Sequence, residues 1–223
     1  MVKLVIFDMD GTLLNTLDDL ADSCNHILRQ YGYPAHPVAA YKYFVGDGIR
    51  KLIERTVPNE VLQKPELLHS IETDFLAYYT LHKIDKTAPY EGIIPVLNQL
   101  QSKNVQIAVA SNKIHREIAP LLDYYFPSIK FAAAMGQKPE VPTKPNPDVV
   151  YEILAQTQIK KEETLYVGDT AVDMKTGKSA GIYTIGVLWG FRAEKELIEN
   201  GADELIQNPE DLLPLIGKLS KQS

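Results

Sequence analysis

Five short apolar runs, each cut off by a polar residue or a glycine or bounded by turn residues, constrain this chain more than any other feature. Leu4-Val5-Ile6-Phe7 stops at Asp8, Val105–Ala110 stops at Ser111, and Phe131–Met135 stops at Gly136. Leu165-Tyr166-Val167 stops at Gly168-Asp169, and Tyr183–Val187 is a run of similar length. Continuous apolar runs, as opposed to alternating ones, suit strands covered on both faces, as in a parallel sheet. Helical spacing fills the intervals. Ile114, Ile118, Leu121 and Leu122 make one stripe; Val149, Val150, Ile153 and Leu154 make another. The second follows Asn146-Pro147, which reads as an N-cap with proline at the first helical position. A helix after Asp173 is expected to end at Ala180-Gly181, with glycine as its stop. Strands alternating with helices predict an α/β fold with a doubly wound, Rossmann-like parallel sheet.

Residues 15–85 break the alternation. Leu17, Leu20, Ile27 and Leu28, then Ile49, Leu52 and Ile53, then Leu67, Leu68, Ile71, Phe75 and Leu76 all follow a helical period, with no clear strand. A stretch of roughly 70 residues is too long for a loop inside a compact domain. It predicts a helical domain inserted after the first strand, with residues 1–14 and 86–223 forming the core. The 223 residues are enough for both.

In open parallel sheets, ligands bind beyond the carboxyl ends of the strands. The residues that end the runs are therefore the candidates: Asp8, Asp10, Ser111 and Asp169, with Lys144 on a connecting segment. Asp8 and Asp10 are two apart, so on an extended backbone they leave from one face. Two carboxylates so close repel, and a hard, oxygen-seeking cation such as Mg²⁺ relieves that repulsion. One can then act as nucleophile while the other moves protons. Gly11 permits a sharp turn, and the Thr12 hydroxyl can fix that turn or contact a phosphoryl oxygen. Asp173 follows Asp169 by four residues; a helix starting between them points both at one centre. Each feature has an ordinary alternative: a solvated strand end, a helix cap with an acidic first turn, or a surface lysine. Ser111-Asn112 could equally cap a helix or help hold an anion.

Together, Asp8-x-Asp10-Gly-Thr12, Ser111-Asn112, Lys144-Pro145 and Gly168-Asp169-x₃-Asp173 resemble, in order, the four motifs of the haloacid dehalogenase superfamily. The insert resembles that superfamily's C1 cap. Ser-Asn-Lys at 111–113, Lys-Pro-Asn-Pro-Asp at 144–148, Leu188-Trp189-Gly190, Gly201-Ala202-Asp203 and Asn208-Pro209-Glu210-Asp211 are similar to its phosphoglycolate phosphatase-like branch. The resemblance implies an Mg²⁺-dependent phosphatase. Asp8 would attack phosphorus and form an aspartyl-phosphate, and Asp10 would protonate the leaving group and then activate water. Mg²⁺ would be held by Asp8, the Asp10 backbone carbonyl and Asp169, with Asp173 direct or through water. Ser111 and Lys144 would hold phosphoryl oxygens, with Asn112 and Thr12 beside them.

In the cap, Gly46-Asp47-Gly48 and Arg50 resemble the loop that meets the leaving group, where Arg50 could pair with a carboxylate. That makes phosphoglycolate or a similar small phosphate ester the expected substrate, with pyrophosphate and nucleoside monophosphates as competitors. A non-catalytic binding protein is the alternative of a different class. A superfamily mutase would carry a histidine where Leu20 stands, and a phosphonate hydrolase a lysine near Ile49. A haloacid dehalogenase would lack Asp10. Asn15-Thr16 departs from the commoner Asp-Ser at the entry to the cap, which predicts altered hinge contacts. Net charge is −6, without the basic face that a nucleic-acid partner would need. Leu4–Phe7 is too short for a membrane span or signal core. The single cysteine, Cys24, permits no disulfide within the chain. These features fit a cytoplasmic protein with no nucleic-acid or membrane partner. Oligomeric state is not legible in the sequence. The five histidines show no metal-ligand spacing.

Overall fold

The computed structural model describes residues 1–139 and 141–222. Its elements run β1 (Leu4–Phe7), β2 (Leu14–Asn15), α1 (Leu17–Gln30), α2 (Val38–Phe44), α3 (Ile49–Thr56), α4 (Asn59–Leu62), α5 (Pro65–His82) and β3 (Ala88–Pro89). They continue with α6 (Ile93–Ser102), β4 (Gln106–Ile114), α7 (His115–Tyr125), β5 (Phe131–Gln137), α8 (Asp148–Thr157), β6 (Thr164–Gly168), α9 (Ala171–Ala180), β7 (Tyr183–Val187), α10 (Glu194–Glu199), β8 (Glu204–Ile206) and α11 (Leu212–Gln222). The chain forms two compact units, one of Met1–Leu14 with Pro89–Ser223 and one of Asn15–Ala88. The return to the first unit therefore falls at Pro89, three residues beyond the position read from the sequence.

The first unit is built on a six-stranded sheet in the order β5-β4-β1-β6-β7-β8. Every pair in it is parallel. Side chains alternate between the two faces of each strand. Val5 and Phe7 join Val109, Val167 and helices α6, α7 and α11 in one core cluster. Leu4 and Ile6 join Ala108, Tyr166 and helix α8 in the other. Apolar residues are needed on both faces, which is why the runs show no polar alternation. The register sets Phe7 against Val109 on β4 and Val167 on β6. The residues after these three positions therefore emerge side by side at the carboxyl end of the sheet, where the strand order turns around β1.

Three details differ from the sequence reading. The sheet has a sixth strand, β8, too short and too mixed in character to register as an apolar run. Strand β4 continues past Ser111 to Ile114, with a register shift against β5 between Ala110 and Ile114. Ser111 and Asn112 thus lie on the strand's irregular extension, and α7 begins only at His115. Helix α8 begins at Asp148, so Pro147 is its N-cap and Asn146 accepts a hydrogen bond from the Asp148 amide at 2.8 Å.

Between its first and last residues, which belong to β2 and β3, the second unit has helices α1–α5 as its only elements. Leu68, Ile71, Phe75 and Tyr79 line the buried face of α5, and Leu20, Cys24, Ile27 and Leu28 that of α1. Buried Asp19, in the first turn of α1, accepts bonds from the amides of Lys86 and Thr87 and from the Thr87 hydroxyl at 2.7–3.1 Å. This ties the outgoing segment to the helix that opens the unit. Among the described residues no helix is long and apolar enough to cross a membrane.

Candidate active site

The sheet's carboxyl end gathers most of the residues singled out above. Asp8 directly follows β1, Asp169 directly follows β6, and Asp173 sits in the first turn of α9. One carboxylate oxygen from each lies within 4.8 Å of the others, and all three residues are buried. Lys144 reaches them from the segment before α8. Its Nζ is 2.9 Å from Asp8 Oδ1 and 2.7 Å from Asp173 Oδ1, and it donates to the Ala110 carbonyl at 2.9 Å.

Local sequence explains why these groups stay in place. Gly11 adopts φ +91°, and a Cβ there would come within 2.3 Å of Asp169 Oδ2, so only glycine fits this turn. The Thr12 hydroxyl donates to Asp169 Oδ1 at 2.9 Å, and the Phe191 amide donates to Asp169 Oδ2 at 2.8 Å. Trp189 Nε1 donates to the Thr12 carbonyl at 3.0 Å. Asp173 is held by a capping box with Thr170, whose hydroxyl donates to Asp173 Oδ2 at 2.6 Å. The Asn112 side chain clamps Lys144, donating to its carbonyl at 3.2 Å and accepting from its amide at 2.9 Å.

Electrostatics follow from crowding. Burial, reinforced by the Asp173 charge and opposed by Lys144, pushes the Asp8 carboxyl up to about 7. Burial, with Asp173 and Asp8 nearby, holds Asp169 well above the usual carboxylate range, against the bonds from Phe191 and Thr12. Burial alone would lower Lys144, but the charges of Asp173 and Asp8 outweigh it and keep its ammonium well above the ordinary value. Of the three buried carboxylates, two are paired with the Lys144 ammonium, and the donor atoms of all three are oxygens. That set fits a hard divalent cation and no soft one.

The structure sorts the other expected residues. The Asp10 carboxylate turns from the acidic cluster to Lys113, whose Nζ lies 3.0 Å from Oδ1 and 3.1 Å from Oδ2. Its side chain is not one of the three that cluster within 4.8 Å of one another. The Thr12 hydroxyl is bonded to Asp169. The Asn112 amide positions Lys144. Ser111 is buried, and its Oγ accepts from the Lys113 amide at 3.2 Å.

Gly46 and Arg50 belong to the helical unit. Gly46 and Gly48 take φ +124° and +86°, as a tight glycine turn requires. Arg50 is bound to Glu54 at 3.0 Å and Glu72 at 3.1 Å, so its guanidinium already carries two carboxylates. Arg55, not singled out in the sequence, secures this loop through the Phe44 carbonyl and Asp47.

Sequence reasoning missed two residues of the site. Tyr166, hidden inside an apolar run, places its hydroxyl 3.3 Å from both Lys144 Nζ and Asp173 Oδ1. A lone phenol in a doubly covered strand was the available signal, because a buried hydroxyl needs a polar partner. Lys113 was visible only as part of Ser-Asn-Lys.

The likenesses to known proteins agree with this geometry. A family model described as haloacid dehalogenase-like hydrolase matches residues 5–187. Phosphoglycolate phosphatase of Aquifex aeolicus is 29% identical over 220 residues, covering 96% of this chain and 97% of that protein. Phosphoglycolate phosphatase 1 of Pseudomonas aeruginosa is 28% identical over 216 residues, covering 95% of this chain and 79% of that one. A crystal structure from Lactobacillus delbrueckii subsp. bulgaricus shares 29% identity with a TM-score of 0.89, over 96% of this chain and 98% of its own. The four motifs, the sheet that aligns them and these matches lead to one conclusion: the chain belongs to the haloacid dehalogenase-like hydrolase family.

Proposed function

We propose that this chain is a cytoplasmic, Mg²⁺-dependent phosphatase that hydrolyses phosphoglycolate or a similarly small organophosphate through an aspartyl-phosphate on Asp8. The observation that carries the reading is the convergence of Asp8, Asp169, Asp173 and Lys144 in one buried cluster at the end of the sheet. Phosphoryl transfer depends chiefly on positioning and charge neutralisation, and this cluster offers both. The phosphoglycolate phosphatases among its relatives support the choice of substrate.

Asp8 supplies the nucleophile. One carboxylate oxygen bonds to phosphorus while the ester P–O bond breaks, and Asp10 gives its proton to the departing alkoxide. Asp10 then takes a proton from the water that attacks phosphorus, and the acyl–phosphate P–O bond breaks to release phosphate and restore Asp8. Lys144 steadies Asp8 and, with Ser111, holds phosphoryl oxygens. Asp8, Asp169 and Asp173, with the Asp10 backbone carbonyl, would hold Mg²⁺, which neutralises their charge and that of the phosphoryl group.

The purified protein is expected to hydrolyse p-nitrophenyl phosphate only with a divalent cation, and Asp8→Asn to abolish turnover. Activity that survives both EDTA and that substitution would sink the assignment. A kcat/KM panel of phosphoglycolate, pyrophosphate and nucleoside monophosphates identifies the leaving group.

A further inference from the structure

We infer that Lys113 is a positioning residue that holds the Asp10 carboxyl in line for proton transfer to and from the leaving group. The inference rests on the reading of Asp10 as the acid and base of the reaction. Lys113 Nζ spans both Asp10 oxygens, at 3.0 and 3.1 Å. A carboxyl held at both oxygens cannot rotate about its own axis without lengthening one bond, so the clamp fixes which way its lone pairs face.

The clamp itself is anchored. Lys113 is buried, and its amide donates to Ser111 Oγ. Its carbonyl lies so near β5 that a Cβ on Gly136 would come within 2.5 Å of it. Strands β4 and β1 are parallel neighbours, so their carboxyl ends deliver Lys113 and Asp10 to the same place. A buried ion pair is poor as a stabiliser, because dehydrating the ammonium offsets most of the attraction. Apolar side chains in place of both partners would hold the fold about as well. What the lysine adds is orientation.

Orientation of an acid matters in proportion to how much the leaving group needs its proton. An alkoxide leaves only with help, whereas p-nitrophenolate is stable enough to leave alone. The test compares Lys113→Met and Lys113→Arg with the parent protein, using ethyl phosphate, 2-phosphoglycolate and p-nitrophenyl phosphate with saturating Mg²⁺. The readout is kcat/KM, which reports the steps through departure of the leaving group. Lys113→Met is expected to lower kcat/KM roughly 10–100-fold for both alkyl esters and less than about threefold for the nitrophenyl ester. Lys113→Arg, which can also bridge two carboxylate oxygens, is expected to recover part of the alkyl activity. In an Asp10→Asn background, Lys113→Met should change the residual kcat/KM for 2-phosphoglycolate by less than about twofold.

An equal fall on all three esters would overturn the proposal, because a merely structural role predicts it. So would a loss confined to 2-phosphoglycolate, which would make Lys113 a contact for the substrate's carboxylate. Additive effects with Asp10→Asn would likewise reject it. If Lys113→Met does not fold, Lys113→Gln supports the same comparison. Failure of the underlying reading shows separately, as undiminished alkyl-ester turnover by Asp10→Asn.

Discussion

At the scale of single residues, Lys144 carries an unusual burden. Among the described residues it is the only cation bound to two of the three carboxylates, and it is itself buried. Removing one partner of a buried charge pair leaves the other uncompensated, at a cost of about 3–5 kcal/mol. Lys144→Met is therefore expected to lose that much stability in EDTA, measured by urea unfolding, and to regain part of it on adding a divalent cation. Gly11 shows the opposite economy, since its value lies in what it lacks. The side-chain space at that turn belongs to the Asp169 carboxylate. Tyr166 completes the residue picture by giving Lys144 and Asp173 a shared neutral partner.

At the scale of elements, helix α9 does two jobs with one turn. Its capping box stabilises the helix start and also fixes the Asp173 carboxylate. Thr170→Ala is expected to cost about 1 kcal/mol, as lost caps commonly do, and to weaken divalent-cation binding measured by calorimetry. Thr170→Ser should restore both. Elements of this kind were legible in the sequence because their signals are local. Continuous apolar runs announced β1, β4, β5, β6 and β7, and Gly181, in the left-handed region at φ +72°, ended α9 where expected. β8 was not legible, because its three residues acquire strand character only by pairing with β7. The extension of β4 beyond Ser111 was hidden for the same reason. The motif residues were found by their place at strand ends, yet their partners were not. That Asp10 faces Lys113, and Thr12 faces Asp169, depends on which strands become neighbours, and tertiary pairing sets that.

At the scale of the whole molecule, the acidic cluster links folding, pH and cation binding. Asp8 is held at about 7 in the folded chain, against an ordinary 3.8. Below the ordinary value both states are protonated and this group has no effect. As pH rises from there to about 7, the unfolded chain gives up its proton first, so stability falls; above 7 the whole penalty remains. Asp169, raised by burial and its acidic neighbours, acts in the same direction. Without a divalent cation, Tm is expected to fall as pH rises from about 4 to about 7. Saturating Mg²⁺ should raise Tm more at pH 8 than at pH 5.5, because binding needs the ionised carboxylates. A Tm increment independent of pH would contradict that coupling.

The central claim is that Asp8 becomes phosphorylated during turnover. Asp10→Asn should slow the return of water to the acyl phosphate more than nitrophenolate departure, so the intermediate accumulates. Rapid quenching of Asp10→Asn with p-nitrophenyl phosphate and Mg²⁺, followed by borohydride reduction and peptide mass spectrometry, reads the site of attachment. The expected result is one phosphoryl group per chain, with reduction converting Asp8 alone to homoserine. Attachment at any other residue, or steady turnover by Asp8→Asn with no adduct at all, would contradict the claim.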